Sequence, residues 1–371
     1  MRSFPMLIFV LCLVLLPGTL AEASSPPAAQ SAPLRVGIVG LVHGHVDGFF
    51  QQSLHNSDIQ LVGVAEPDQQ LLRKYASHYG LDSKVLFAGL EQMLQSSRPQ
   101  AVLAYTNTYD HRRVVEVCAR YGVHVMMEKP LAVSLTDARA IQQSAAQGRI
   151  HVLVNYETTW YPSNHAAYDL IRQNALGELR KVVVHDGHKG PKEINVPPEF
   201  LAWLTNPKLN GAGALFDFGC YGADLATWLM EGHRPDSVTA VTQRIKPEVY
   251  RNVDDEATII LVYPGTQVII QASWNWPFGR KDMELYGTTG SVITVSRDQI
   301  RVQREEGHEE QVSAKAIPAP YDNSLSYLKA VVSGEIQPEG LSSLDTNVIV
   351  TEILDAARRS AASGKSIQLP H

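Results

Sequence analysis

From residue 34 to residue 154 the chain alternates short apolar runs with stretches of helical periodicity. Residues 34–39, 59–65, 101–105, 123–127 and 152–154 read as strands. Residues 51–56, 69–79, 111–121 and 134–147 read as helices, and Gly80 and Gly122 stand where a helix C-terminus favours glycine. Strands separated by crossover helices form a parallel sheet with helices on both faces. Ligands of such sheets bind outside the carboxyl ends of the strands. The strand at 123–127 ends there in Glu128-Lys129-Pro130, an acid, a base and a proline. Pro130 fixes its own φ and pushes Lys129 out of the helical region, so the lysine lies on a defined bend. A cis Lys129–Pro130 bond is a hypothesis at this point.

Beyond residue 155 the pattern changes. Residues 162–173 read as a helix, and β character follows at 179–185, 237–242, 257–262, 267–273, 283–286 and 291–295. Pro264-Gly265 and the Gly287-Thr-Thr-Gly290 segment are hairpin signals. Helices at 325–333 and 345–362 close the chain. The expected fold is α/β plus α+β. A Rossmann-type, doubly wound parallel sheet occupies residues 34–154. A mostly antiparallel, open-faced sheet occupies residues 155–371, expected to bind substrate and to support oligomerisation.

The 371 residues suffice for two domains, and the net charge of −6 gives no basic footprint for nucleic acid. Residues 1–23 have the layout of a secretory signal peptide. Arg2 precedes an apolar run from Met6 to Leu16, too short to span a membrane, and Ala21-Glu22-Ala23 supplies small residues for cleavage. There is no twin-arginine pair, which favours export of an unfolded chain to the periplasm or beyond. Cleavage would leave no stable membrane anchor. Residues 24–33, rich in Ser, Pro and Ala, read as a flexible leader. Cys118 and Cys220 then remain, in different predicted domains, and two buried free thiols are expected.

Gly40 follows the first strand, where a dinucleotide fold places its pyrophosphate. A full G-x-G-x-x-G needs glycine at 42 and 45, and the chain has Val42 and His45. The fingerprint alone is compatible with a plain strand-to-helix turn. Glu66, at the end of the second strand, supplies the carboxylate expected on a ribose 2′-OH, and it favours NAD over NADP by repelling a 2′-phosphate. His43 and His45, with no carboxylate beside them in sequence, are a poor metal signal, and no metal is expected. Asp217, Tyr221 and Asp224 fall at i, i+4 and i+7, on one face of a helix. A carboxylate beneath a phenol suits acid–base work, although Asp217 could be an N-cap and Tyr221 a core aromatic.

These segments together resemble the Gfo/Idh/MocA family of sugar and inositol oxidoreductases. RVGIVG matches its first strand and turn. YTNTYDH matches its TPNxxH segment, with Thr106 and His111 kept. HVMMEKPLA matches its most specific motif, and GAGALFDFGCYGADL matches GGGxLxDxGxHxxDL. ASWNW and LYGTTGSV match the second-domain sheet. The resemblance implies that Lys129 lies beside the nicotinamide and the reacting hydroxyl, with Asp217 as its acidic partner. Tyr221 replaces the usual histidine, as in the glucose–fructose oxidoreductase and dihydrodiol dehydrogenase branches. An ammonium near that phenol would lower its pKa from about 10 and stabilise a developing alkoxide. The implied cofactor contacts are Gly40, Val42, His43, Glu66, Thr106, His111 and Glu128. The expected substrate contacts are Asn155, Asp224 and Trp274; Trp274 and Trp276 read equally as stacking surfaces for a sugar ring or as two core aromatics. The family also implies a homo-oligomer.

An exported enzyme meets little free NAD, so a tightly held cofactor recycled in one site is expected. The expected function is hydride transfer between NAD and a carbon of a sugar, cyclitol or glycoside. A redox-assisted glycosidase or lyase and a carbohydrate-binding homologue without activity are the alternatives.

Overall fold

The computed structural model describes Met1 and residues 32–370. Apart from Met1, the signal peptide expected at 1–23 and the leader up to residue 31 lie outside the described residues. Residues 33–371 form one compact unit. No helix among the described residues is long and apolar enough to cross a membrane.

The first sheet has six parallel strands: β1 (Leu34–Val39), β2 (Ile59–Ala65), β3 (Leu86–Phe87), β4 (Ala101–Ala104), β5 (His124–Glu128) and β6 (Val152–Asn155). Their order is β3-β2-β1-β4-β5-β6. The order reverses between β1 and β4, which opens a crevice beyond their carboxyl ends. The helix Gln69–Tyr79 starts at Asp68, whose carboxylate accepts the N–H groups of Gln70 and Leu71, and ends at Gly80 with φ 64°. The helix expected at 51–56 is instead Val46–Ser53. Val46, Phe49, Phe50 and Ser53 are its buried residues, a stripe at i, i+3, i+4 and i+7 that begins right after the glycine turn. The short strand β3 and the helix Leu90–Ser97 have no counterpart in the sequence reading.

The second sheet has nine strands. They are β7 (Leu179–Gly187), β8 (Ser237–Gln243), β9 (Glu256–Tyr263), β10 (Thr266–Ser273), β11 (Arg280–Gly287), β12 (Ser291–Thr294), β13 (Gln299–Glu305), β14 (His308–Ser313) and β15 (Ile367–Gln368). The order is β14-β13-β12-β11-β7-β10-β9-β8-β15, and only β7 and β10 pair in parallel. Burial alternates along β9, so one face is packed and the other is left toward solvent, where Val241, Val262 and Tyr286 are exposed. The helix Gly219–Leu229 covers the packed face and is buried at every residue but Trp228. Gly222 lets it approach β10 closely, because a Cβ there would lie 2.4 Å from Ile270 Cγ2. That approach sets the depth of Tyr221, one residue earlier. Cys118 and Cys220 are buried free thiols.

Candidate active site

The apolar strand β5 is buried up to Glu128, so the two charges after Met127 emerge at its carboxyl end rather than in its middle. The Lys129–Pro130 bond is cis. Lys129 Nζ donates to Asp217 Oδ1 at 2.5 Å and to the Asp217 carbonyl at 2.8 Å. Burial pulls the ammonium toward neutrality, but Asp217's charge and hydrogen bond outweigh it and hold the Lys129 pKa above its ordinary value. Burial likewise pushes Asp217 up, and Lys129, His188 and the Trp274 indole bring it below the usual carboxylate range. Trp274 Nε1 donates to Asp217 Oδ2 at 2.9 Å, so both carboxylate oxygens have a partner.

Asp217 and Tyr221 are not on one continuous helix. Asp217 ends the short helix Ala214–Asp217, and the helix Gly219–Leu229 starts two residues later. The break at Phe218 still brings the Tyr221 ring beneath the lysine, 5.0 Å from Nζ to the ring centroid. The expectation that Lys129 makes this phenol acidic is corrected. Burial drives the Tyr221 pKa well above 10, and Cys220, Glu157 and Asp217 add to the rise. The ammonium faces the ring and is already neutralised by Asp217. The phenol is therefore protonated at rest, and its hydroxyl bonds to no described residue.

The crevice beyond β1, β2 and β4 is a cavity of about 490 Å³ lined by Gly40, Val42, Glu66, Thr106 and Asn107, among others. Gly40 has φ 79°, and a Cβ there would meet the Thr106 backbone nitrogen at 2.8 Å. This cradle survives the loss of glycine at 42 and 45. Glu66 Oε2 accepts the Leu41 N–H at 2.8 Å and Oε1 accepts the Asp68 N–H at 2.9 Å, which aims a carboxylate along the cavity wall. A glycine cradle, an acid at the second strand end and a cavity of ordinary ligand size fit a dinucleotide.

Glu128 lines a second cavity of about 400 Å³ with His45, Asn155 and Glu157. Its carboxylate pairs with His45 Nδ1 at 2.9 Å and accepts Asn155 Nδ2 at 3.1 Å. Burial raises its pKa, but His45 and these bonds hold it down at about 2. The sequence places no carboxylate near His43 and His45, yet folding brings Glu128 within 4.8 Å of both. The His43 ring is packed against Phe200 at 4.6 Å and buried, so it braces the turn and lines neither of these two cavities.

His111 also stays behind the cofactor cavity. Its Nδ1 lies 3.1 Å from the Pro130 carbonyl and 3.2 Å from that of Leu131, so Nδ1 carries the proton and clamps the lysine turn. Burial brings its pKa to about 4 and keeps the ring neutral. Two of the substrate contacts are corrected. Trp274 is fully buried and offers no face to a sugar, serving instead to fix Asp217. Asp224 is fully buried with neither oxygen partnered, burial pushes its pKa well above the usual carboxylate value, and it lines none of the cavities. Trp276 is only partly buried, under Arg280 at 6.0 Å.

A third cavity, of about 590 Å³, is lined by Glu157, Tyr161, His188, Lys281 and Arg297, among others. Two of its lining residues abut the catalytic group: Lys281 Nζ stands 4.8 Å from the Tyr221 centroid, and the His188 ring meets Phe218 edge-on at 4.8 Å. Sequence reasoning missed Glu157, Lys281 and His188. Glu157 had a signal, since it follows β6 at the carboxyl edge of the parallel sheet. Lys281 had none, because a charge at a strand start looks like any solvated one.

Residues 34–156 match the family model described as "Oxidoreductase family, NAD-binding Rossmann fold", and residues 164–293 match the "GFO/IDH/MocA C-terminal domain". Among curated proteins, the trans-1,2-dihydrobenzene-1,2-diol dehydrogenase of Homo sapiens is 27% identical over 236 residues, 62% of this chain. The chain covers 65% of that relative's length, just under two thirds. The aldose-aldose oxidoreductase from Caulobacter crescentus, solved with glycerol, has a TM-score of 0.75 at 22% identity, covering 91% of this chain and 100% of that one. An inositol dehydrogenase homolog from Azotobacter vinelandii, solved with NAD+, has a TM-score of 0.79 at 17% identity, covering 91% and 98%. At these identities the likeness to solved structures is one of fold.

Proposed function

This chain belongs to the Gfo/Idh/MocA oxidoreductase family, and we propose that it is an exported enzyme moving hydride between NAD and a hydroxyl-bearing carbon of a sugar, cyclitol or glycoside. The observation that carries the reading is the buried Lys129–Asp217 pair above the Tyr221 ring, next to an NAD-binding domain. Gly40, Val42, Glu66, Thr106 and Glu128 would hold the dinucleotide, with His43 and His111 bracing the turns behind it. NAD, when bound, supplies the hydride chemistry.

The chain's own residues do the rest. Lys129 stays charged and stabilises negative charge on the reacting oxygen. Asp217, fixed by Trp274, keeps that ammonium in place. Tyr221 moves the proton. As a neutral phenol it is set to give a proton to a carbonyl oxygen, and oxidation of an alcohol requires that it first be ionised. Glu157, His188 and Lys281 line the cleft through which the substrate reaches these groups.

The signal-peptide layout of residues 1–23 supports export, and scarce external NAD supports a cofactor that stays bound and is recycled. A protein named for aldose-aldose oxidoreduction among the structural neighbours is consistent with oxidising one sugar while reducing another. The test is mass spectrometry of the purified, denatured protein, followed by turnover with pairs of sugars and polyols. Released nicotinamide dinucleotide and paired oxidation and reduction are expected. Protein free of dinucleotide that binds none when it is added would remove the proposal.

A further inference from the structure

Two ammonium groups, rather than one, attend the Tyr221 ring. Lys129 Nζ lies 5.0 Å from its centroid and Lys281 Nζ 4.8 Å. Each has its own carboxylate: Lys129 pairs with Asp217, and Lys281 pairs with Glu157. The second pair comes from parts of the fold that the family motifs do not include. Lys281 stands on β11, directly across from Asp186 of β7. Glu157 opens the 3-10 turn after β6.

The two pairs differ in access. Lys129 and Asp217 have side chains only 6% and 8% exposed. The Glu157 side chain is 48% exposed, and it lines both the cavity that holds Glu128 and Asn155 and the cleft that holds His188 and Lys281. Of the two carboxylates paired around the phenol, Glu157 is the one a substrate hydroxyl can reach. Its other oxygen already accepts the Tyr161 hydroxyl at 2.5 Å, so it is an established hydroxyl acceptor.

We propose that Lys281 and Glu157 are positioning residues that set the ionisation of Tyr221, the Glu157 carboxylate keeping Lys281 neutralised so that the phenol holds its proton. This rests on Tyr221 being the proton-transfer group. The groups that bear on it are Cys220 on its own helix, Asp217 before that helix, Glu128 at the end of β5 and Lys129 just after it. Tyr156 and Glu157 follow β6, and Lys281 comes from β11. Asp186, on β7 opposite Lys281, is buried without a hydrogen-bond partner; burial pushes its pKa well above the usual carboxylate value, and the Lys281 charge opposes that rise. At rest each lysine is neutralised by its own acid, and the phenol keeps its proton. With the Glu157 charge removed, Lys281 would act on the ring uncompensated and favour the phenolate, the proton being lost to solvent. The resulting phenolate is the form that can accept a proton from an alcohol.

The test is a pH titration by carbon NMR of protein labelled at the tyrosine Cζ, with the Tyr221 resonance assigned from Tyr221→Phe. Glu157→Gln removes the charge and keeps an acceptor for Tyr161. The pair is partly exposed, so neither variant should unfold the protein. In Glu157→Gln the Tyr221 phenol is expected to ionise about one to two pH units below the wild type. Adding Lys281→Met should return it to the wild-type value or higher. A Tyr221 that stays neutral in Glu157→Gln wherever it does in the wild type would overturn the proposal. So would a shift that persists in the double variant. The readout is ionisation, so either result leaves the assignment of Lys129 and Tyr221 intact. Full turnover by Tyr221→Phe would remove that assignment instead.

Discussion

The Lys129 ammonium lies 2.5 Å from Asp217 Oδ1, and the two residues stand 88 positions apart in the chain. One closes the carboxyl end of β5 and the other ends a short helix against the second sheet, so a single buried ion pair joins the two halves of the site. Removing one member leaves a buried charge without compensation, which costs far more than the pair contributes when intact.

Asp217→Asn is therefore expected to lower stability by about 3 to 5 kcal/mol, read as a fall in the urea midpoint. The double variant Lys129→Met/Asp217→Leu should lose less than Asp217→Asn alone, since neither charge is left stranded.

Trp274→Phe tests the brace behind the pair. It keeps the aromatic packing against Tyr250 and removes the indole N–H from Asp217 Oδ2. A loss of about 1 to 3 kcal/mol is expected from the unpartnered oxygen, together with reduced turnover. An unchanged urea midpoint would show that the bond contributes nothing.

The parallel sheet was legible in the sequence because its strands, except the two-residue β3, are short and mainly apolar runs that alternate with stretches of helical periodicity. Lys129, Asp217 and Tyr221 were legible because they sit in motifs with fixed spacing. The helix start at Val46 was obscured by the His-Gly-His turn before it. Burial, which has no sequence signature, decided the rest. It turned Trp274 from a possible sugar platform into a brace, kept Asp224 away from the cavities, and set the Tyr221 phenol against ionisation despite the lysine beside it. Lys281 reaches Tyr221 only through the pairing of β7 with β11, a contact no local pattern announces.

Acid stability should fall in two windows. His111 has its folded pKa lowered to about 4, so the unfolded chain takes up a proton first and stability declines as pH drops from about 6.5 to 4. Glu128, held at about 2, contributes stability above its unfolded pKa that is lost as pH falls from about 4.5 to 2. Each is worth about 3 kcal/mol by linkage. His111→Asn should flatten the upper window and Glu128→Gln the lower one, measured as urea midpoints across pH. Parallel curves for wild type and variants would contradict both assignments.

Gly40→Ala should abolish dinucleotide retention, because the added methyl meets the Thr106 backbone and the residue must hold a positive φ. Mass spectrometry of the purified variant reads this directly. Retention at the wild-type level would place the cofactor somewhere other than this crevice.

The most direct measurement is turnover by Lys129→Met on the sugar or polyol that the wild type converts best, with circular dichroism as the control for folding. The expected result is a folded protein whose rate is lower by several orders of magnitude, since the charge that stabilises the reacting oxygen is gone. A folded Lys129→Met protein that turns over near the wild-type rate would contradict the assignment of redox chemistry to this site.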